Sequence, residues 1–168
     1  MSFPAHPAWD FALRVYGTPG VAPACLGLQE RHGIDVTLML FCIWHGTAHG
    51  APLGPHLAAL CTTARTWREA TVLPLRGARR WLKAAGPADP YRSVLAAEID
   101  CEHAELLALA RQAEAIPSTA APPSAATVAD NLAGFLAASG VAPTPEDRAA
   151  LRTILAAAGA AEAAGLLP

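Results

Sequence analysis

The most informative residues of this sequence are charged side chains at helix positions where apolar residues are expected. Six of them stand on two consecutive predicted helices: Arg68, Arg76, Arg79, Glu98, Glu102 and Glu105. With a rotation of about 100° per residue, the three glutamates lie within about 40° of Tyr91, at the centre of the apolar face of their helix. On the preceding helix, the same rotation places Arg68 and Arg79 on the apolar face and Arg76 beside it. An unpaired buried charge is strongly destabilising, so these residues are expected to pair across the two helices.

A tight turn joins the two helices and predicts how the charges pair. Gly86 is typical of a helix end and Asp89-Pro90 of a helix start, so residues 56–85 and 90–115 are expected to form an antiparallel hairpin. Arginine contacts carboxylates through two parallel hydrogen bonds, which suits partly buried pairs. Folding the chain about this turn predicts three pairs: Arg79 with Glu98, Arg76 with Glu102, and Arg68 with Glu105.

Three interpretations of this charged cluster differ in what it does. The preferred one is a salt-bridge seam that fixes the register of the hairpin, because buried charges need partners. The second is a pocket in which these side chains contact a small anionic or polar ligand. The third is a carboxylate metal site, but di-iron bundles need two Glu-x-x-His motifs and the chain has only Asp100-x-x-His103. The sequence therefore predicts no metal site and no cofactor.

The remaining histidines and cysteines give weaker signals. His45 and His49 could share a metal if they lay on a helix, but Gly46 and Gly50 predict a loop at this point. The cysteines have no CxxC spacing and are interpreted as reduced core residues: Cys25, Cys42, Cys61 and Cys101. Dinucleotide-binding, P-loop and nucleophile-elbow motifs are missing from the sequence, so a non-catalytic role is favoured.

Composition narrows the class of protein. The chain has 168 residues, with 12 Lys and Arg against 14 Asp and Glu, and a net charge of −2. Charged residues make up 15% and hydrophobic ones 53%, which argues against both a disordered chain and a basic nucleic-acid-binding domain. The longest dense apolar run, residues 36–44, is about half the roughly 20 residues that a membrane span needs. The first residues do not resemble a signal peptide, so we expect a cytoplasmic protein without membrane association.

An all-α fold follows from abundant alanine and from well-placed helix ends. Helices are predicted from Pro7 to a stop at Gly17, over residues 21–32 and over residues 36–45, the last apolar on all sides and therefore central. Pro74 is expected to divide or kink residues 56–85. Seven large side chains are expected to be mostly buried: Trp9, Tyr16, Leu38, Phe41, Trp44, Trp67 and Leu75.

A Pro-, Ala- and Ser-rich stretch predicts a domain organisation. Residues 1–115 are expected to form a bundle of about five helices, residues 116–126 a linker, and residues 127–168 a tethered helical hairpin. The hairpin is indicated by an amphipathic pattern from Val128 and by the helix-start signal Thr144-Pro145-Glu146-Asp147. A chain that ends near Ile116 is expected to fold by itself.

Several motifs of this chain resemble those of one family of uncharacterised proteobacterial proteins, known as domain of unknown function 2390. In the first half the shared motifs are Trp9-Asp10-Phe11-Ala12-Leu13, Tyr16, Pro19-Gly20-Val21, Cys25-Leu26, Leu28-Gln29, His32-Gly33, Asp35-Val36, Leu38 to Phe41 and Trp44. In the second half they are Trp67, Pro74-Leu75-Arg76, Arg79-Arg80, Lys83, Tyr91 and Glu98. The resemblance extends over approximately residues 3–110. It implies a shared fold and no particular activity.

The sequence favours a non-catalytic protein-interaction module with an unidentified protein partner. Sparse charge, missing catalytic motifs and the predicted tail support this hypothesis, and nucleic acid is not an expected partner. The alternative is a binder of a small anionic ligand, or an enzyme, that uses the Arg/Glu cluster. The two differ in whether Glu98 and Glu102 line a cavity or are consumed in ion pairs.

Overall fold

Helix-forming residues and well-defined caps arrange the described part of the chain into eight α-helices without a strand. The computed structural model describes residues 3–117 and 122–167. The helices are α1 (Pro7–Tyr16), α2 (Val21–His32), α3 (Val36–His49), α4 (Leu57–Trp67), α5 (Leu73–Ala85), α6 (Ala88–Ala113), α7 (Ala125–Ala138) and α8 (Pro145–Ala157). A π-helical segment, Arg68–Val72, joins α4 to α5, and short 3-10 helices cover Gly54–His56 and Ala161–Leu166. The predicted all-α class is confirmed.

Helix α3 is the centre of the core, as its apolar sequence predicts. Asp35 caps its start by accepting a hydrogen bond from the Leu38 amide at 3.2 Å. Every residue from Leu38 to Gly46 is buried. The helix continues past the stop predicted at Gly46 and ends at His49, followed by Gly50, whose φ of 59° is left-handed.

Gly46 permits a close helix crossing instead of ending α3. A β-carbon at this position would lie 2.9 Å from the Val128 Cα on α7, closer than side chains tolerate. The two helices therefore approach nearer there than any other residue would allow.

The two C-terminal helices contribute to the same hydrophobic core as the first six. Val128, Leu132 and Phe135 of α7 are buried against α3, and Leu151 and Ile154 of α8 are buried in the cluster that includes α2. The apolar face of α3 needs a cover, and α7 supplies it. Of the predicted linker, Ser118, Thr119, Ala120 and Ala121 lie outside the described residues.

The α5–α6 hairpin forms as predicted, with shifted helix ends. The π-helical segment continues without a break into α5, whose second residue is Pro74, so the change of helix type falls where the proline removes a backbone N–H. Helix α6 begins at Ala88, two residues before the predicted start, because Pro90 is equally tolerable in a first turn. No helix in the described ranges is long and apolar enough to cross a membrane.

The seven large side chains predicted to be buried divide into three groups. Leu38, Phe41 and Trp44 are buried in the core. Trp9, Trp67 and Leu75 are half-buried. Tyr16 is exposed, which makes its prediction wrong, because the face of α1 that carries it borders a cavity and not another helix.

Candidate ligand-binding site

A cavity of about 580 Å³ lies between α1, α2, α3, α5 and α6. Charged side chains of the α5–α6 hairpin form one part of its lining: Arg76, Arg79, Arg80, Glu98 and Glu102. Apolar side chains of α1, α2, α3 and α6 form most of the remainder, including Trp9, Leu13, Leu26, Leu40, Leu95 and Leu106. A concave, mainly apolar space with a few convergent polar groups is the usual form of a small-molecule site.

Glu98 is the centre of the charged side of the cavity. Its Oε2 accepts a hydrogen bond from Arg79 Nε at 2.5 Å, and its Oε1 accepts from Arg76 Nε at 2.8 Å and from Arg79 Nη2 at 3.2 Å. Burial by itself would raise the pKa of Glu98, but the hydrogen bonds and charges of the two arginines bring that pKa below its ordinary value. Glu98 is therefore ionised and holds both guanidinium groups in place.

Arg76 connects three helices around this carboxylate. Its Nη1 donates to Gln29 Oε1 on α2 at 2.8 Å, and its Nη2 donates to Glu102 Oε1 on α6 at 2.7 Å. Burial raises the pKa of Glu102, Arg76 opposes that rise, and the negative charges of Glu98 and Asp35 add to it. Glu102 is thus a cavity-lining carboxyl that takes up a proton more readily than an exposed glutamate.

Arg80 leaves the cavity with an unneutralised positive charge. Among the described residues Arg80 makes no ion pair or hydrogen bond, although it lines the cavity beside the ion-paired Arg79. Three arginines face two glutamates in this lining, so its formal charge is at least one unit positive. An anion that entered the cavity would therefore find a free guanidinium group.

Arg68 and Glu105, the third predicted pair, do not come together as an ion pair. Arg68 Nη1 donates instead to the Gly33 carbonyl at 2.6 Å, at the C-terminal end of α2 where cations are favourable. The physical reason is the π-helical segment, which begins at Arg68 and changes the rotation per residue assumed for a regular helix.

Glu105 is buried beside another carboxyl group, that of Asp35. Burial, followed by the nearby charge of Asp35, raises the pKa of Glu105 to about 10, so the protonated form is favoured at neutral pH. Its Oε1 has no hydrogen-bond partner within the described chain. It faces a space of about 10 Å³ that Asp35 and Glu102 also line, at the lower limit of what one water needs.

A second charged cluster was not predicted from the sequence. Asp147, fully buried at the start of α8, accepts hydrogen bonds from Arg31 Nε at 2.9 Å and Thr144 Oγ1 at 2.8 Å, and lies 2.9 Å from His32 Nε2. Burial opposes its ionisation, but hydrogen bonds from the Thr144 backbone N–H, the Thr144 hydroxyl, Arg31 and His32 lower the pKa of Asp147 below its usual range. Thr144 and Asp147 were recognised as a helix start, and only their contact with α2 escaped prediction. The cluster ties α2 to α8.

His45 and His49 lie on α3 and not in the predicted loop, with ring centroids 5.0 Å apart. The Nδ1 atom of His45 is 3.1 Å from the Ala51 carbonyl oxygen, within hydrogen-bond distance. Within residues 3–117 and 122–167, no group of three or more His, Cys, Asp or Glu side chains could hold a metal ion. His103 is stacked on Trp9, with ring centroids 4.2 Å apart. All four cysteines are free thiols.

A protein-family model matches the region of the chain that contains the cavity. Residues 7–109 match the model of a family described as Protein of unknown function (DUF2390). This region includes α1 to α5, most of α6, and every charged residue of the cavity lining. Neither a search of curated proteins nor a search of solved structures found a match.

Proposed function

The chain belongs to the DUF2390 family of proteins of unknown function, and from this premise we propose that it binds a small organic anion in the cavity beside the α5–α6 hairpin. The observation that carries the proposal is Arg80, an arginine without an ion-pair partner in the described chain, on the wall of a cavity with net positive lining. Because the other two arginines are neutralised by glutamates, Arg80 is the group that an incoming anion would contact first.

The ion pairs that line the same cavity as Arg80 support binding through preorganisation. A partly buried network of arginines and glutamates is weak evidence for stability, because apolar residues of similar size often stabilise a core better. The same network fixes the positions of Arg76 and Arg79 before any ligand arrives, which reduces the conformational cost of binding. A rigid charged wall opposite an apolar wall is what an organic anion requires.

The protein-interaction role that the sequence favoured has less support. It relied in part on a tethered C-terminal tail, and the helices of that tail have their apolar faces inside the core. The ligand-binding alternative gains a cavity that Glu98 and Glu102 line while they are ion-paired. We place this binding in the cytoplasm, a compartment in which four free thiols are ordinary.

Titration with 1-anilinonaphthalene-8-sulfonate, an organic monoanion whose fluorescence rises on binding, tests the proposal. Arg80→Gln is expected to weaken binding about two- to fivefold, the effect of one partly exposed charge contact. Arg111→Gln, which removes an exposed arginine of α6 outside the cavity, is the matched control and should bind like the wild type. Absence of binding to the wild-type chain, or equal losses in the two variants, would contradict the proposal.

A further inference from the structure

We infer that the ligand of this cavity is amphipathic: a monocarboxylate whose charged end contacts Arg80 and whose alkyl chain lies on an apolar ring at the cavity mouth. The ring consists of Leu13, Tyr16, Leu26 and Ile99, which α1, α2 and α6 contribute. This inference rests on the proposed function and adds the chemical class of the ligand.

Exposure of these four side chains is the observation that points to an alkyl chain. Leu13 is 54% exposed, Leu26 45%, Ile99 42% and Tyr16 38%, and all four line the same cavity. Single exposed apolar residues need no explanation, but several that converge from three helices on one opening form a patch that water solvates poorly. A ligand chain laid across them would remove that apolar surface from water.

The interior of the cavity continues the apolar path inward. Trp9 and Leu40 line it from α1 and α3, and Leu95 and Leu106 line it from α6. A chain that enters between Leu13 and Leu26 therefore meets apolar side chains along its length, with the charged residues of the hairpin on one side only. Burial of each methylene group contributes about 0.8 kcal/mol, which makes affinity sensitive to chain length.

The charge of the cavity selects a monoanion over a dianion. Arg80 supplies one unneutralised positive charge, whereas Glu98 and Glu102 place negative charge nearby. A carboxylate head is matched by Arg80, but the second charge of a phosphate monoester would find no further uncompensated cation, because Arg76 and Arg79 are paired with Glu98 and Glu102. The head is therefore singly charged, as a carboxylate is.

Calorimetric titration of the full chain with hexanoate, octanoate and decanoate, each below its micelle concentration, tests the inference. Affinity is expected to rise about fourfold for each added methylene group that the cavity covers. Octanoate should bind more tightly than octyl phosphate. Equal affinities along the series, or tighter binding of the phosphate, would overturn the inference, whereas Arg80-dependent binding of the fluorescent probe would still uphold the proposed function.

A pair of leucine variants tests whether the alkyl chain of the ligand contacts the apolar ring. Leu26→Ser should weaken decanoate binding several-fold and hexanoate binding less, because it removes apolar contact at the mouth. Leu73→Ser is the control, since Leu73 is exposed to a similar degree on α5 but does not line this cavity. Equal behaviour of the two variants would count against the ring. Analytical ultracentrifugation of the ligand-free protein completes the test. If the wild type is a dimer and Leu26→Glu is a monomer, a second copy of the protein covers the ring, and the inference of an alkyl chain is overturned.

Discussion

Arg79 of α5 and Glu98 of α6 form a two-point ion pair across the hairpin, with Nε 2.5 Å from Oε2 and Nη2 3.2 Å from Oε1. Glu98 also accepts from Arg76, so a single carboxylate positions two arginines of the cavity wall. The stability of the hairpin and the geometry of the proposed binding site therefore depend on the same side chain.

Replacement of Glu98 by glutamine is expected to destabilise the protein. The change leaves Arg79 without its ion-pair partner, and losing one partner of a buried pair costs about 3–5 kcal/mol. We expect no more than about 3 kcal/mol, at the low end of that range, because the side chains of Arg76 and Arg79 retain 13% and 21% of their exposure. Urea denaturation measures the loss.

The double variant Arg79→Leu, Glu98→Leu should recover part of this loss, because it leaves only Arg76 with a missing contact. Glu114→Gln, an exposed substitution on the chain that follows α6, is the control. If Glu98→Gln leaves stability unchanged or raises it, the ion pairs do not stabilise the hairpin and serve the binding site alone.

Glu105→Gln should leave stability nearly unchanged at low pH and raise it at alkaline pH. The raised pKa of Glu105 means that the folded protein keeps a proton that the unfolded chain releases above about pH 4.5. Wild-type stability therefore falls as the pH rises from about 4.5 towards the folded-state pKa of about 10. Glutamine has nearly the same shape and cannot ionise, so the variant should not show this decrease. Urea denaturation of both proteins at about pH 5, 7 and 9 gives the difference. Parallel stability curves would show that Glu105 titrates normally.

Local sequence patterns were sufficient to predict helix ends and the contacts between two consecutive helices. Residues that fix a helix end act within a few positions, so Asp35, Gly33 and Thr144 could be recognised. The cluster of Arg76, Arg79, Glu98 and Glu102 could be predicted because both helices follow each other across a short turn, which leaves helical rotation as the one variable.

Relationships between distant segments were beyond such patterns. His32 and Asp147 meet across 115 residues, and nothing near either residue specifies the other. Gly46 looked like a helix stop because its true role, close approach to Val128, depends on where α7 packs. The predicted contact of Arg68 with Glu105 is wrong because a π-helical segment changes the rotation per residue along the helix. Such a segment has no clear signal in the sequence.

Binding of the fluorescent anion should strengthen as pH falls. Glu102 lines the cavity and its pKa lies above the ordinary value, so on acidification it loses its negative charge before an exposed glutamate does. The groups that surround it are Arg76, Glu98, Asp35, Glu105 and Tyr16, and of the carboxylates Glu98 stays ionised because its pKa is lowered. Loss of one like charge near the anion should increase affinity about two- to fivefold.

Glu102→Gln should bind the anion more tightly than the wild type at neutral pH and should lose the pH dependence. Fluorescence titrations of both proteins at several pH values measure this, with thermal melts to establish that the variant is folded. A pH dependence that persists unchanged in Glu102→Gln would assign the titrating group elsewhere.

A chain that ends at Pro117 is now expected not to fold cooperatively, contrary to the domain boundary that the sequence indicates. Truncation removes α7, whose Val128, Leu132 and Phe135 are buried against α3. Fully buried side chains of this size contribute about 1.5–3 kcal/mol each, and their combined loss is comparable to the whole stability of a small domain. Urea denaturation followed by near-ultraviolet circular dichroism should show no sharp transition.

Within the full chain, Leu132→Ala should cost about 2–5 kcal/mol, whereas Leu166→Ala, at an exposed position, should cost little. A sharp transition in the truncated chain, together with a small loss for Leu132→Ala, would establish that residues 1–117 form an independent domain and that α7 is an accessory to it.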